Sequence, residues 1–313
     1  MADSRGDRGE LRQRRLIFSR KGFDSGYGGR PSPILPNGVM VSLPIPETDG
    51  VLRYSQCVAP CGGSYGSLLT RLGIERIRDP SGRPARWLQV ADDPGVHLDP
   101  DLWFTALGRG EGWRPLFGQV GASQTHLVRN GVGVGDVFLF FGWFSPVAEH
   151  GDRLRYRTRA EQVQAMFGWM EVADVITVAT DPIPPWAQQH PHVCNKDSVR
   201  FRSHNTLYVA ATESSFVPGL AGAGVFRWHP MLRLTQRGAT PSVWELPKAF
   251  HPEVAHALLT HHGPDSFVLD GEYTSLRSAR IGQEFVIPMT SAIREWVSGV
   301  LRCGASATES VCS

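Results

Sequence analysis

The stretch Gly131-Val132-Gly133-Val134-Gly135-Asp136-Val137-Phe138-Leu139-Phe140-Phe141-Gly142-Trp143-Phe144 decides the fold class of this 313-residue chain. Three glycines and an aspartate make a turn. The aromatic run behind it reads as a buried strand, because it is far shorter than the roughly 20 apolar residues that span a bilayer. Two further strand-forming runs follow, Ala165-Met166-Phe167-Gly168-Trp169-Met170 and Val172-Ala173-Asp174-Val175-Ile176-Thr177-Val178. Gly142 and Gly168 leave room for sharp bending or close backbone approach within these strands, so closure of a small barrel is physically reasonable. Glycine and proline supply 57 of the residues, which favours short strands and turns over long helices. The expected fold class is α+β, a mixed and strongly curved β sheet or small barrel elaborated by helices and long loops.

Upstream of this centre, Leu16-Ile17-Phe18 reads as a short strand that delivers Ser19-Arg20-Lys21-Gly22-Phe23-Asp24 to a loop. Residues 26–36 are rich in glycine and proline and are expected to be irregular. Asn37-Gly38 is a strong turn pair, after which residues 39–43 resume as a strand that stops at Pro44. Downstream, the proline-rich connector at residues 181–191 is either a domain boundary or a rim loop. A strand is expected over residues 205–210 and another over 284–287, with helices over 252–261 and 291–301. Residues 16–313 therefore read as a single compact domain, with 181–191 the one candidate point of subdivision. Residues 1–15, with Arg5, Arg8, Arg12, Arg14 and Arg15, read as a disordered basic arm.

Arginine outnumbers lysine 29 to 3, yet the formal net charge is only +2, so bulk charge gives little ground for a nucleic-acid partner. Five cysteines, an odd number, and the lack of an apolar leader point to a reducing cytoplasm and no membrane. Cys57 and Cys61 have no second close pair, so isolated small hydrophobes are favoured over a structural zinc site.

Ser19, Arg20, Lys21 and Asp24 combine a hydroxyl, two cations and a carboxylate around a glycine turn. Such a set suits an anionic substrate: the Arg20 fork can grip phosphate, Lys21 can neutralise charge, and Asp24 can orient a hydroxyl or act as base. The bland reading is a salt bridge from Asp24 inside a structural loop. His97-Leu98-Asp99 has the HxD spacing of an iron-binding triad completed by a distant histidine, for which His126, His192, His204 and His229 are candidates. Turn hydrogen bonding at the surface is the competing account. Gly28-Gly29 is not followed by a P-loop GKS or GKT, no GxGxxG opens a helix, and no GxSxG elbow is present, which disfavours those nucleotide and hydrolase sites. Trp143 and Trp169 are either core residues or, if exposed at the mouth of a curved sheet, platforms for a flipped base.

The runs Phe18-Ser19-Arg20-Lys21-Gly22-Phe23-Asp24-Ser25, Gly28-Gly29-Arg30-Pro31-Ser32-Pro33-Ile34 and Ser42-Leu43-Pro44-Ile45-Pro46 resemble the family called nucleotide modification associated domain 3. The likeness continues through residues 97–101, 117–119, 124–127, 135–144, 205–209 and 282–285. The glycine-aspartate turn into an aromatic strand, followed by Phe167-Gly168-Trp169, is also locally similar to PUA-like barrels such as the EVE domain, which bind nucleic acids or modified bases. The family resemblance implies bacterial or phage-type systems that modify DNA bases, a nucleotide or DNA as ligand, and other DNA-modification proteins as partners. The leading expectation is an enzyme modifying a nucleotide or DNA base. Its candidate catalytic residues are Asp24, His126 and Ser19, and its candidate substrate-binding residues are Arg20, Lys21, Ser25, Trp143 and Asn205. His97 and Asp99 are the candidate ligands of a divalent metal such as iron. A noncatalytic reader of modified DNA and a metal-dependent small-molecule oxygenase are the alternatives.

Overall fold

The structure, a computed structural model, describes residues 12–81, 84–279 and 282–305. In chain order the first elements are β1 (Arg15–Arg20), β2 (Ser32–Ile34), β3 (Ile45–Pro46), α1 (Tyr65–Arg71), β4 (Arg76–Asp79), β5 (Arg86–Gln89), β6 (Val96–His97), β7 (Leu116–Gln119) and α2 (Gly121–Arg129). The long strands β8 (Val137–His150) and β10 (Val163–Thr177) follow, separated by β9 (Arg153–Tyr156). Then come α3 (Pro191–Cys194), β11 (Thr206–Ala210), β12 (Ala223–Val225) and β13 (Val243–Pro247). The last elements are α4 (Pro252–Ala255), β14 (Phe267–Asp270), β15 (Tyr273–Arg277), β16 (Glu284–Pro288) and α5 (Ser291–Ala305). Among the described residues no helix is long and apolar enough to cross a membrane.

The main sheet is mixed, in the order β16-β1-β8-β10-β11-β7, with β2 and β9 added to β8 and β12 to β10. The run that decides the fold class lies at its centre. β8 pairs parallel with β1 and antiparallel with β10, and its side chains alternate between two apolar layers. Phe138 and Phe140 pack on Phe117, whereas Phe141 meets Trp244 edge-on at 4.9 Å between ring centres. The second layer is closed by α5, whose Trp296 reaches Phe18 and Phe250.

Phe117 belongs to β7, at the far end of the hydrogen-bonded path, yet its ring lies 5.0 Å from that of Phe138 in the middle. The sheet therefore bends until its end strand faces its centre. Register shifts in β10, between Met166 and Gly168 and between Val172 and Asp174, supply part of the bend. The two end strands meet through side chains, Gln119 Nε2 donating to Glu284 Oε1 at 2.6 Å, but their backbones do not pair and no closed barrel forms.

Two local expectations are corrected. Residues 39–43 form no regular strand, only isolated bridges at Val39 and Met40, and the edge of β8 is taken by β2 from the stretch expected to be irregular. Pro33 has no N–H to give, so it is tolerated on a short edge strand, and the backbone N–H of Leu43 goes to Ser32 Oγ instead. The connector at 181–191 leaves the sheet after β10 and returns to it at β11, which pairs directly with β10. Residues 1–11 of the expected basic arm lie outside the described residues. Arg12 grips the buried Asp136 with both guanidinium nitrogens, and Arg14 reaches Glu171.

Candidate functional site

The loop after β1, the end of β6, the end of β7 and the short helix α3 converge on a polar cavity of about 310 Å³. Arg20 at the end of β1 and Lys21, Asp24 and Tyr27 in the loop after it line the cavity, with His97 and Asp99 from β6 onward and His192 and Arg200 from the segment between the proline-rich connector and β11. Apolar neighbours fix each contributor: Phe18 anchors the first in the main core, Val96 and Leu98 flank His97 in a second, and Val193 holds α3 in a third.

His97, Asp99 and His192 form the cavity's most ordered chemical feature. One ligand-competent atom from each lies within 4.8 Å of the other two, the one such cluster of three among the described residues. Asp99 Oδ2 is 3.8 Å from His97 Nε2 and 3.9 Å from His192 Nε2. The opposite side of each group is held from behind. Asn205 accepts from His192 Nδ1 at 2.8 Å and donates its amide to the His192 carbonyl at 2.7 Å, which leaves a lone pair on Nε2. Glu47 Oε1 stands 3.3 Å from His97 Nδ1, and Gly118 N–H donates to Asp99 Oδ1 at 2.8 Å. Gly118 must stay a glycine, since a Cβ there would fall 2.3 Å from the His192 ring.

Burial lowers the pKa of both His97 and His192, so the imidazoles are neutral near pH 7. For Asp99, burial acts to raise the carboxyl, but His190 and the two cluster histidines outweigh it and hold it below the usual range. Two neutral imidazoles and one carboxylate are the donor set of a two-histidine, one-carboxylate metal centre. The site also contains buried polar atoms without aligned partners. His97 Nδ1 and His190 Nε2 lack a well-formed hydrogen bond, although Glu47 and Asp99 each stand 3.3 Å away. The distances place those carboxylates in contact with the two rings.

The cationic wall is less free than its composition implies. Lys21 Nζ is bound to Glu284 at 3.0 Å and lies over the Phe117 ring. Arg20 lies over the rings of Phe141 and Phe285 and donates to the Ala279 carbonyl, while its Nε is buried without a partner. Asp24 uses one oxygen to accept from Gly26 and Tyr27 N–H, both at 2.6 Å, which shapes the loop. Arg200 stands on the rim, its side chain 41% exposed, and pairs with Glu47 at 3.2 Å.

The remaining candidates fall elsewhere. Ser19 is fully buried in β1 with an unpartnered hydroxyl and does not line the cavity. Ser25 is exposed beside it, its carbonyl bound to Arg78. His126 sits on α2, stacked on His261 and bonded to Thr260, outside the cavity lining. Trp143 is half-buried in β8, and Trp169 is core, 4% exposed and stacked on Phe226. Asn205 belongs to the site by orienting His192. Sequence reasoning offered His192 only as one of four third-ligand candidates and missed Glu47, Gly118 and His190. The pattern His190-Pro191-His192 at the end of the proline run was the available signal.

A mixed sheet whose strand ends carry a charged cavity, with two imidazoles and a carboxylate on one wall, places the chain among α+β proteins built around a ligand-sized polar site. Residues 15–288 match nucleotide modification associated domain 3, and the chain belongs to that family. The family name ties it to nucleotide modification. No curated protein and no solved structure matches the chain.

Proposed function

We propose that this protein is a metal-dependent enzyme that modifies a nucleotide or a DNA base in the cavity between the Ser19–Asp24 segment and the His97, Asp99 and His192 cluster. The observation that carries the reading is the convergence of His97 Nε2, Asp99 Oδ2 and His192 Nε2 on one wall of a ligand-sized cavity. A divalent transition ion, with Fe(II) the first choice for this donor set, would supply Lewis acidity or one-electron chemistry there. The protein's own part is positional. Asn205 and Gly118 orient His192 and Asp99, Glu47 backs His97 in contact, Arg20 and Arg200 face an anionic substrate, and Asp24 lines the cavity as the candidate base. The reader alternative relies on aromatics displayed by the curved sheet, and Phe138, Phe140 and Trp169 are instead buried in it.

The test is metal content and ligand binding together. Chelator-stripped protein is expected to take up one equivalent of Mn²⁺, or of Fe²⁺ under anaerobic conditions, per chain, and His97→Ala to take up none with its fold intact by circular dichroism. Equal uptake by the two proteins would remove the cluster from the mechanism. Arg20→Ala is expected to weaken binding of a nucleoside monophosphate by about 10-fold or more, the scale of one lost charge-assisted hydrogen bond. Unchanged affinity in isothermal titration would take Arg20 out of the anion site.

A further inference from the structure

We propose that the hairpin β4–β5 is a landing surface for single-stranded nucleic acid, holding the strand on the approach to the cavity. This rests on the reading of the cavity as a nucleotide- or base-modifying site and names its substrate as a polymer. The hairpin has two unlike faces. Ile77 is fully buried and anchors one face in the second core. On the other, Trp87 opposes Arg78 across the ladder, and Arg76 lies over the indole at 5.3 Å. Trp87 is 52% exposed, the one exposed tryptophan of nine.

A bulky indole kept in water beside guanidinium groups fits a partner with flat apolar rings and a negative backbone. Unpaired bases stack on aromatic side chains while arginines track phosphates. The hairpin is also fastened to the cavity. Gly28 N–H donates to the Arg78 carbonyl and the Arg78 guanidinium to the Ser25 carbonyl, so Trp87 is tied to the loop whose Asp24 and Tyr27 line the site. A Cβ at Gly29 would already touch the Trp87 ring at 3.6 Å.

A second cavity of about 230 Å³ extends the route. It shares Tyr27 and Arg200 with the first and adds Arg86, Ser81 and Ser198. Of its carboxylates, Glu47 is tied to Asn195 and Arg200 and Asp49 remains in the lining, while Arg86, half-exposed, bonds Thr48 and stands 3.8 Å from Asp79. His97 and His192 are nearly buried, so a base inside a duplex has no route to them. A base on a single strand can turn in, with its neighbours held outside.

The probe is a fluorescein-labelled 12-nucleotide DNA read by anisotropy, beside an RNA of the same sequence and a free nucleoside monophosphate. The wild-type protein is expected to bind the DNA at least tenfold more tightly than the mononucleotide. Trp87→Ala should weaken the oligonucleotide by about 5- to 160-fold, the span of one lost base stack, and leave the mononucleotide unchanged. Trp87→Phe should recover most of the loss. Arg76→Gln and Arg86→Gln should each lower the salt slope of oligonucleotide binding by about 0.7. Tighter binding of RNA than DNA would assign the strand to RNA. Equal oligonucleotide affinity in wild type and Trp87→Ala, or a mononucleotide bound as tightly as the oligonucleotide, overturns the proposal. Metal uptake on the same samples separates the two readings. A Trp87 variant without effect in a protein that holds its metal sinks the strand path alone, whereas Trp87-dependent binding by a protein that takes up no metal sinks the metal-dependent reading alone.

Discussion

Asp99→Asn is expected to lower the affinity for a divalent ion by more than about 100-fold, beyond the 10–100-fold that outer partners of a metal centre contribute. The substitution is nearly isosteric, and the reason for so large an effect is directional. Gly118 N–H donates to Asp99 Oδ1, so an asparagine must keep its carbonyl oxygen there and turn its NH₂ to the place of Oδ2. That NH₂ would face Nε2 of His97 and of His192, which stand 3.8 and 3.9 Å from the present oxygen. Its two N–H groups would satisfy the lone pairs that a metal needs. The variant should fold as well as the parent and resist metal for a positive reason, an internal hydrogen-bonded plug.

Thermal unfolding gives the readout. An ion at 100 times its dissociation constant adds about 2.7 kcal/mol to the native state, which appears as a rise in Tm for the wild type. Asp99→Asn should show no rise. An equal rise in both proteins would place any bound ion elsewhere. Asn205→Ala, which frees the His192 ring to rotate, should fall between the two.

Arg109→Met is expected to destabilise the fold by about 3–5 kcal/mol, the cost of leaving a buried charge without its partner. Arg109 and Asp101 form an ion pair in which each side chain is only 2% exposed. Arg109 also donates to the Trp103 carbonyl and covers the Trp113 ring at 4.4 Å. Burial pushes the Asp101 pKa up even with Arg109 in place, and without the guanidinium it must rise further. A carboxyl whose folded pKa exceeds its unfolded value contributes stability at low pH that is lost as pH climbs through that interval. The deficit of Arg109→Met should therefore be largest near neutral pH and shrink as the solution is acidified toward the ordinary aspartate range. Urea midpoints at several pH values would reveal this, and a pH-independent deficit would show that lost packing, not charge, dominates. Replacing both residues, with Asp101→Leu added, should recover a large part of the loss.

The sequence made the centre of the fold readable because β8 and β10 are long and apolar, and a strand covered on both faces leaves that signature. Gly142 and Gly168 pointed to strong curvature, but not to β7 as the strand carried back over β8, since that depends on register shifts and on which side chains meet across the interior. The HxD spacing singled out His97 and Asp99, whose meeting with His192 rests on long-range topology. α3 is four residues long and holds its place through Val193 and the Asn205 amide, contacts with no local sequence period. Ser19 looked reactive from its neighbours, but strand alternation and the pairing of β1 on both sides seal it inside.

That double pairing also bears on how the protein is made. Leu16 sits between Val137 on one side and Ile287 on the other. At translation speeds of about 5–20 residues per second, Leu16 waits on the order of tens of seconds for Ile287. For that interval Leu16-Ile17-Phe18 offers an apolar strand with an open edge to any passing chain. The nascent protein is thus an aggregation hazard until β16 emerges, and a chaperone that shields β1 co-translationally should raise the yield of folded protein more than one added after release.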